Sequence, residues 1–432
     1  MFFYSTNNPQ IKTSFSEAVL QGIAPDGGLY MPSAFPVLPA EFFSTIHRLS
    51  FTEMSFQVAR RFLQGSIGDD ALEEIVSGAL QMDAPLAAVQ PGVYALELFH
   101  GPTLAFKDFG ARFLARTMAH LTAHLDREIT VLVATSGDTG SAVAQGFYNV
   151  PGVKVCLLYP SGGVSFIQEQ QLTTLGGNIT AVEVEGTFDD CQRMVKEAFA
   201  DPSLAAALQL TSANSINIAR LLPQMFYYFH AFAQLEDRRK PLVFSVPSGN
   251  FGNLTAGLFS WKMGLPVHRF IAATNRNDVV PEYLKTGQYR ARPSLATISN
   301  AMDVGAPSNF ARMAALFEYD PESFRKIMTG YAYSDEETKE YIRNVYAQCG
   351  YVLDPHGAVA FAGLHSYRRE NREVTGVFLE TAHPAKFRDI VEDILQQEIP
   401  MPDRLAACLD KTKKSIRIES SLDPLRDILL SL

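Results

Sequence analysis

The sequence has little charge, no block of positive charge and no long hydrophobic run. Charged residues make up 19% of its 432 residues, and 37 Lys and Arg against 46 Asp and Glu leave a formal charge of −9. A nucleic-acid-binding protein normally needs clustered positive charge to displace the counterions of the phosphates, so that class is disfavoured. A membrane-spanning helix needs about 20 consecutive apolar residues, and no stretch of the chain approaches that length.

Cysteine is also scarce. The four cysteines, Cys156, Cys191, Cys349 and Cys408, are scattered, with no CxxC pair and no histidine at zinc-ligand spacing, so no metal site is expected. Cysteines that form neither disulfide bonds nor a metal site are typical of a reducing compartment. The N-terminus lacks a basic region followed by a hydrophobic core, so we expect no signal peptide. These features predict a soluble, cytoplasmic protein that binds neither nucleic acid nor a membrane.

Hydrophobic residues, by contrast, make up 47% of the chain, which is enough for more than one core. At about 100–200 residues per domain, the length suggests two or three packed units. The first ninety or so residues lack a strand–helix rhythm and predict a mostly helical unit, with residues 82–92 as a link. Further along, β-branched runs alternate with helical stretches, which is typical of βαβ units. The strand-like runs are residues 129–134, 153–158, 179–184, 242–246, 269–273 and 374–379, and one long helix is expected over residues 215–234.

This pattern predicts an α/β fold in which two parallel-sheet domains enclose a cleft, with a mostly helical N-terminal domain beside them. Ligands in such folds bind at the carboxyl ends of the strands, where loops lead into helices. Those loops are therefore the segments to search for chemistry. The expected domains are residues 1–92, a large domain of residues 93–120 and 215–395, a smaller domain of residues 121–214, and a C-terminal tail of residues 396–432.

The first such loop has the sequence PSGNFGN (247–253) and lies between a strand and a helix. Gly249 and Gly252 permit backbone shapes that other residues resist. The amide groups from Gly249 to Asn253 then converge at a helix N-terminus, which suits a phosphate. The glycine spacing matches neither the dinucleotide fingerprint nor a Walker P-loop. A tight turn that binds nothing is the alternative interpretation.

Two further loops also begin helices. The loop TSGDTGS (135–141) offers hydroxyls and free helix amides, which suit a carboxylate. The segment TSANSINIAR (211–220) brings an arginine with amide and hydroxyl donors to a helix start, which makes a second candidate anion site. Ordinary helix capping is the alternative for both. The candidate residues are Ser136, Gly137, Asp138 and Thr139 in the first loop, and Asn214, Ser215 and Arg220 in the second.

Lys107 lies in the apolar segment HGPTLAFKDFG (100–110), just before a helix whose apolar face is expected to reach Leu125. Apolar surroundings disfavour the charged ammonium, so its pKa falls and the free amine becomes a usable nucleophile. A lysine paired with Asp108 at the surface is the alternative. Together with the anion-binding loops, this lysine suggests a phosphorylated cofactor held as a Schiff base. Pyridoxal phosphate fits, because it offers both an aldehyde and a phosphate.

At these motifs the sequence resembles the threonine synthase family, in its longer bacterial and fungal form. The resemblance runs over essentially the whole chain and includes SFSEAV (14–19), APDGGLYMP (24–32), SNAMDVG (299–305) and TAHPAKF (381–387). It implies a pyridoxal-phosphate-dependent lyase of the tryptophan-synthase-β fold type, also called fold type II. It also implies the conversion of O-phospho-L-homoserine and water into L-threonine and phosphate.

The resemblance further implies roles for single residues. Related shorter enzymes carry Asn at the position of Asp138, where it contacts the phenolic oxygen of the cofactor. An Asp meets a phenolate poorly unless a proton or another donor lies between them, so the role of Asp138 stays open. In the implied assignment, Lys107 forms the Schiff base, Gly249, Asn250, Phe251, Gly252 and Asn253 hold the cofactor phosphate, Thr381 places its hydroxyl against the pyridine nitrogen, Ser136, Gly137 and Thr139 take the substrate carboxylate, and Asn214, Ser215 and Arg220 take the substrate phosphate.

Other functions compatible with the residues are kept as alternatives. One is another fold-type-II lyase, such as a serine or threonine dehydratase, whose substrate carries no phosphate for Arg220. Another is a non-catalytic paralogue that binds pyridoxal phosphate. An NAD-dependent enzyme is compatible with the α/β pattern but lacks the GxGxxG fingerprint. For the assembly, we expect a monomer or a small homo-oligomer.

Overall fold

The computed structural model describes residues 1–123 and 128–432, so Leu125 lies outside the described residues. Within these residues the strands form sheets of three, six and five strands. In chain order the strands are β1 (Phe3–Ser5), β2 (Lys12–Thr13), β3 (Tyr30–Pro32), β4 (Leu86–Gln90), β5 (Val93–Glu97), β6 (Ile129–Ala134), β7 (Val153–Pro160), β8 (Ile179–Glu185), β9 (Gln209–Thr211), β10 (Leu242–Pro247), β11 (Val267–Thr274), β12 (Met328–Ala332), β13 (Thr375–Glu380) and β14 (Ile416–Glu419).

Several helices begin where their sequence provides a cap. The hydroxyls of Ser14, Ser50 and Ser334 each accept a bond from the amide three residues on, and the Glu at that position binds back. No helix within the described residues is long and apolar enough to cross a membrane. In chain order the α-helices are α1 (Phe15–Gln21), α2 (Ala40–Thr45), α3 (Phe51–Leu63), α4 (Asp69–Ala79), α5 (Lys107–Thr122), α6 (Asp138–Phe147), α7 (Phe166–Thr173), α8 (Phe188–Ala200), α9 (Pro202–Ala207), α10 (Ile218–Leu221), α11 (Gln224–Gln234), α12 (Gly252–Lys262), α13 (Val279–Thr286), α14 (Phe310–Leu316), α15 (Pro321–Ile327), α16 (Asp335–Cys349), α17 (Pro355–Arg368), α18 (Arg388–Leu395), α19 (Asp403–Leu409) and α20 (Leu422–Ser431), with 3₁₀ helices at Ile46–Arg48, Asn300–Met302 and Pro384–Phe387.

The six-stranded sheet has the order β12-β11-β10-β13-β5-β4 and is parallel except for β4. Strands β10 and β13 are buried along their whole length, as expected for central strands covered by helices on both faces. Residues 82–92, expected to be a link, instead contain β4, which pairs antiparallel with β5. This pairing gives the backbone of β4 hydrogen-bond partners that an irregular link would lack.

The five-stranded sheet has the order β14-β8-β7-β6-β9, and all its pairings are parallel. Residues 396–432, expected to be a tail, supply β14, which pairs with β8. They also supply α20, whose Leu425 and Leu429 share a core with Val182 and Val184 of β8. Because burying these apolar side chains is favourable, the end of the chain packs onto the smaller sheet and does not extend away as a tail.

The first ninety residues are not only helical. Strands β1, β2 and β3 form an antiparallel sheet in the order β2-β1-β3. These strands have two or three residues each, too few to produce a recognisable alternation in the sequence. Helices α3 and α4 bury their apolar faces against α11 and α5, so the N-terminal unit shares its core with the larger sheet.

The helix expected over residues 215–234 is broken. The structure has α10 and α11 instead, separated at Pro223. Proline has no amide hydrogen, and its ring collides with the preceding turn of a helix, so the first helix ends before it. Helix α10 begins only after Asn217, whose side chain accepts a bond of 3.0 Å from the amide of Ala219. Asn214 and Ser215 therefore lie in a loop, ahead of the helix that carries Arg220.

The carboxyl ends of four parallel strands lead into the segments that the sequence singled out. Strand β6 is followed by residues 135–141, β9 by residues 212–217, β10 by residues 248–251, and β13 by Thr381. Parallel strands of one sheet end at the same edge, so the loops after β6 and β9 lie together at one edge of the five-stranded sheet, and those after β10 and β13 at one edge of the six-stranded sheet.

Candidate active site

Lys107 is the first residue of α5 and is held in place by the loop before it. The amide of Phe106 donates a bond of 2.9 Å to the carbonyl oxygen of Thr381, and the amide of His383 donates one of 3.0 Å to the carbonyl oxygen of Leu104. The short antiparallel contact places Lys107 beside the end of β13. Leu104 has a φ of 57°, which lets the chain turn sharply between this contact and the helix.

The Lys107 side chain is partly buried, with its Nζ 5.8 Å from the centroid of the Phe106 ring. Burial lowers the pKa of Lys107 to about 8, with Asp138 opposing the shift and Lys386 and Arg220 adding to it. Asp108 does not form the surface pair with Lys107. Its carboxylate accepts bonds from the amide and hydroxyl of Thr103, at 2.8 and 2.7 Å, and is buried.

Asp138, at the start of α6, lies in an ion pair that the sequence interpretation did not identify. Its Oδ1 is 2.7 Å from the Nζ of Lys386 and accepts a bond of 3.1 Å from the Nε2 of Gln168. Burial disfavours ionisation here, but the positive charges of Lys386 and Lys107 outweigh it and hold the pKa of Asp138 well below its usual range. Asp138 is therefore ionised.

The loop before α6 is shaped by Thr135, another residue that the sequence analysis did not assign. Its hydroxyl accepts bonds from the amides of Gly137 (3.0 Å) and Gly140 (2.8 Å). Gly137 has a φ of 130°, a conformation that side-chain-bearing residues avoid. Ser136 and Thr139 stay partly exposed on this turn, beside the amides of the first helical turn, which have no partner within the helix.

The glycine-rich loop between β10 and α12 forms a tight cradle. Phe251 has a φ of 59° immediately before Gly252 starts the helix. A side chain at Gly249 would lie 2.7 Å from both the Ala301 carbonyl oxygen and the Met302 Cα, so only glycine fits there without moving the backbone. The amides of the first turn of α12 face outward from the helix end, as an anion site requires.

Asn253 contributes to this cradle differently from the other residues. Its Oδ1 accepts bonds of 2.7 Å from the hydroxyls of Tyr227 and Tyr228, which anchor it in the core. The Oδ1 of Asn253 is therefore engaged in the core. Its backbone amide and its Nδ2, which is buried without a hydrogen-bond partner among the described residues, can serve an anion. Asn250 instead donates a bond of 2.8 Å to the Ser215 hydroxyl, which joins this loop to the segment 211–220.

Arg220 lies against the helix of Lys107. A side chain at Gly110, one turn beyond Lys107, would lie 2.6 Å from the Arg220 carbonyl oxygen and 3.0 Å from its Nε. One end of the guanidinium donates a bond of 2.6 Å to the Ala213 carbonyl oxygen. The Nε of Arg220 and the Oδ1 of Asn214 are buried without a hydrogen-bond partner among the described residues. Burial lowers the pKa of Arg220 to about 10, so the arginine stays charged at neutral pH.

The segment with Asn214 and Ser215 is fixed by Arg312, which the sequence analysis did not single out. Arg312 is fully buried and donates bonds to the carbonyl oxygens of Tyr30 (3.0 Å), Ser215 (3.0 Å) and Ile216 (2.5 Å). It thereby ties the N-terminal unit to the candidate phosphate-binding segment. No motif marks this arginine, because its partners are backbone carbonyls far away in the chain.

The structure thus brings together Lys107, Asp138 and Arg220, and it connects Ser215 to Asn250 and Thr381 to Phe106. The sequence analysis missed Lys386. This residue lies inside the motif at residues 381–387, in which only Thr381 was assigned a role. A buried lysine needs a negatively charged partner, and Asp138 provides one. The unexplained lysine in this motif was therefore the signal that could have pointed to the pair.

Three family models match the chain. The model described as "Pyridoxal-phosphate dependent enzyme" covers residues 80–379, "Threonine synthase N terminus" covers residues 2–80, and "Threonine synthase, C-terminal" covers residues 357–429. The chain belongs to the threonine synthase family.

Relatives and solved structures of this family match most or all of the chain. The threonine synthase of Escherichia coli (strain K12) is 45% identical over 432 residues, 100% of both chains, and that of Saccharomyces cerevisiae is 37% identical over 456 residues, 91% of this chain and 89% of the relative. The crystal structure of threonine synthase from Escherichia coli has a TM-score of 0.94 at 45% identity and covers 100% of each chain. That of PLP-bound threonine synthase from Brucella melitensis has a TM-score of 0.93 at 34% identity and covers 100% of this chain and 99% of that one.

These findings confirm the expected fold type II and the dependence on pyridoxal phosphate, and they make the chain a lyase of the threonine synthase family. The residues present fit that cofactor. Lys107 offers an amine with a lowered pKa, and the cradle at Gly249 admits no side chain. The partnerless atoms of Arg220 and Asn214 would carry a large energetic penalty unless a ligand satisfies them.

Proposed function

We propose that this protein converts O-phospho-L-homoserine and water into L-threonine and phosphate. The observation that carries the proposal is the position of Arg220, which is buried against the helix of Lys107 with an Nε that no described residue binds. A cation held there suits a substrate that carries its own phosphate next to the reacting carbons. The cradle at residues 249–253 supplies a separate set of amides for the cofactor phosphate.

Pyridoxal phosphate, when bound, supplies an aldehyde that links to an amine and a ring that takes up the electron pair left by a departing proton. In this proposal Lys107 Nζ would hold the aldehyde carbon. The hydroxyl of Thr381 would serve the ring nitrogen and, being neutral, would leave that nitrogen less cationic than a carboxylate would. The cofactor phosphate is assigned to Gly249, Asn250, Phe251, Gly252 and Asn253.

Lys107 is also the proton carrier of the proposed reaction. An Nζ that carries no other group can act as a general base. Burial lowers the pKa of Lys107 to about 8, which favours the neutral amine that can accept a proton. We assign to Lys107 the removal of the proton at Cα, then of one at Cβ, and the delivery of a proton to Cγ.

Arg220, Asn214 and Ser215 hold the substrate phosphate. When the proton leaves Cβ, the electron pair of that C–H bond forms a carbon–carbon double bond and the Cγ–O bond breaks. Phosphate departs with the electron pair of the broken bond, and the Arg220 guanidinium stabilises the charge that develops on its oxygens. Delivery of a proton to Cγ moves the double bond to between Cα and Cβ. A water oxygen then bonds to Cβ and a proton returns to Cα, so the overall reaction consumes one water.

The substrate carboxylate is assigned to the turn at the start of α6. Ser136 and Thr139 are partly exposed there, and Gly137 brings the backbone close to whatever binds. Positively polarised amides at a helix N-terminus favour a carboxylate. Holding the carboxylate and the phosphate at opposite ends fixes the reacting carbons between them, beside Lys107.

We further propose that the protein works in the cytoplasm, as a monomer or a small homo-oligomer. Its four cysteines are free, and three of them are buried, which suits a reducing compartment.

The test is to incubate the loaded protein with O-phospho-L-homoserine and measure both products. We expect phosphate and L-threonine to appear in a one-to-one ratio, and no turnover of L-serine or L-threonine. Phosphate release with a 2-oxo acid as the other product would indicate elimination without hydration. Deamination of serine or threonine would favour a dehydratase, and pyridoxal phosphate binding with no turnover at all would favour a non-catalytic paralogue.

A further inference from the structure

Lys386 is a buried lysine beside Lys107 that the proposed reaction has not used. Its side chain has no exposed surface, and its Nζ lies 2.7 Å from Asp138 Oδ1. It also donates a bond of 2.9 Å to the carbonyl oxygen of Thr103. A lysine ammonium has three N–H donors, so these two partners leave one N–H for a third acceptor.

Backbone hydrogen bonds fix the position of the segment that carries Lys386. It forms the 3₁₀ helix Pro384–Phe387, in which the amide of Lys386 donates a bond of 3.0 Å to the His383 carbonyl oxygen. The bond from the His383 amide to Leu104 fixes this helix on the loop that leads into Lys107. Both lysines are therefore placed by the same backbone contact.

The chemistry of the cofactor determines what lies next to Lys107. Its phenolic oxygen is on the ring carbon adjacent to the one that bears the aldehyde, so it lies beside the nitrogen of any amine bound there. Three charged groups surround Lys107 closely enough to act on its pKa, namely Asp138, Lys386 and Arg220. Arg220 is bound to Ala213 and assigned to the substrate phosphate, and an ionised Asp138 repels a phenolate.

We propose that Lys386 donates a hydrogen bond to the phenolic oxygen of the cofactor, and that Asp138 is a positioning residue that holds Lys386 in place. The inference rests on the proposed function of Lys107. Asp138 fits this role because its carboxylate is fixed from a second side by Gln168, at 3.1 Å. The pair explains how an aspartate occurs next to a phenolate, since the lysine lies between them.

The test follows the visible absorbance of the loaded protein as a function of pH, which reports the protonation of the nitrogen joining Lys107 to the cofactor. In Lys386→Met, a positive charge is lost and the cationic form of that nitrogen becomes more favourable. The titration midpoint should therefore rise, by about 1 to 3 pH units for a charge at this range. In Asp138→Asn a negative charge is lost, and the midpoint should fall.

A double variant controls for misfolding caused by an unpaired buried charge. Lys386→Met with Asp138→Asn removes both charges, so it leaves neither one buried and unpaired, and its midpoint should return towards that of the wild type. Lys413→Met is the matched control, since Lys413 also forms ion pairs of 2.7 Å, with Glu169 and Glu183, but is 35% exposed. It should leave the midpoint unchanged.

The inference is overturned if Lys386→Met leaves the midpoint unchanged, or if Lys386→Met and Asp138→Asn shift it in the same direction. The proposed function has a separate criterion, which is threonine formation by the wild type. Wild-type turnover with an unshifted Lys386→Met midpoint rejects the inference alone, whereas absence of turnover in the wild type rejects the proposed function.

Discussion

The amide of Phe106 donates a hydrogen bond of 2.9 Å to the carbonyl oxygen of Thr381. This bond joins the residue just before Lys107 to the residue just after β13, two segments far apart in the chain. In the proposed assignment, a cofactor bound to Lys107 would therefore lie close to Thr381. The contact uses only the Thr381 backbone, so the hydroxyl is free for another acceptor or donor.

Replacing Thr381 with valine tests the role assigned to that hydroxyl. The shape and the backbone bond to Phe106 are retained, so the protein should still bind pyridoxal phosphate. Losing one hydrogen bond to the ring nitrogen should shift the absorbance spectrum and slow turnover roughly tenfold. Thr381→Ser keeps the hydroxyl and should stay near the wild type. A Thr381→Val spectrum and rate equal to those of the wild type would refute the contact.

Arg220→Ala tests which phosphate this arginine serves. We expect kcat/KM for O-phospho-L-homoserine to fall by about 100-fold or more, because a buried charged hydrogen bond is lost. Cofactor affinity should be retained. The control is Arg193→Ala, which removes a surface arginine that is 44% exposed from its pairs with Asp190 and Glu197. Loss of the cofactor from Arg220→Ala would mean that the two phosphate sites are interchanged.

Gly249→Ala tests the cradle between β10 and α12. The added carbon would lie 2.7 Å from two backbone atoms, of Ala301 and Met302, so the loop must move. We expect cofactor affinity to drop at least tenfold while the fold persists, as measured by fluorescence titration and circular dichroism. Gly68→Ala is the control, because nothing lies within 4 Å of its added carbon. Equal cofactor affinity in the two variants would contradict the assignment.

Lys107 should also make the stability of the cofactor-free protein depend on pH. Its pKa falls from 10.5 in the unfolded chain to about 8 in the folded one, so between these values the folded state binds fewer protons. The free energy of unfolding of the wild type should therefore rise from pH 8 to pH 10.5 relative to Lys107→Met, by up to about 3 kcal/mol. Urea unfolding of both proteins at several pH values measures this difference. A difference that is constant with pH would show that the pKa of Lys107 is not lowered.

Much of this architecture is predictable because its signals are local. The strands β6, β7, β8 and β10 are continuous apolar runs, and the loops that follow them carry glycine and hydroxyl residues at helix starts. The capping and glycine chemistry that marks residues 135–141 and 247–253 depends on neighbours in sequence. Such patterns can be interpreted without a structure.

The parts that escaped prediction depend on distant contacts. Strand β14 is marginal by itself and becomes ordered by pairing with β8, and α20 does so by burying leucines on the smaller sheet. The role of Lys386 depends on its contacts with Asp138 and Thr103, and the role of Arg312 depends on its bonds to three backbone carbonyls. No periodicity within the sequence encodes these partners.

The account depends most on Lys107 as the residue that binds the cofactor, and one measurement tests this directly. The loaded wild-type protein is reduced with borohydride, digested, and analysed by mass spectrometry. We predict one pyridoxyl group per chain, on the peptide that contains Lys107. A pyridoxyl group on Lys386 or on any other lysine, with Lys107 unmodified, would contradict the account.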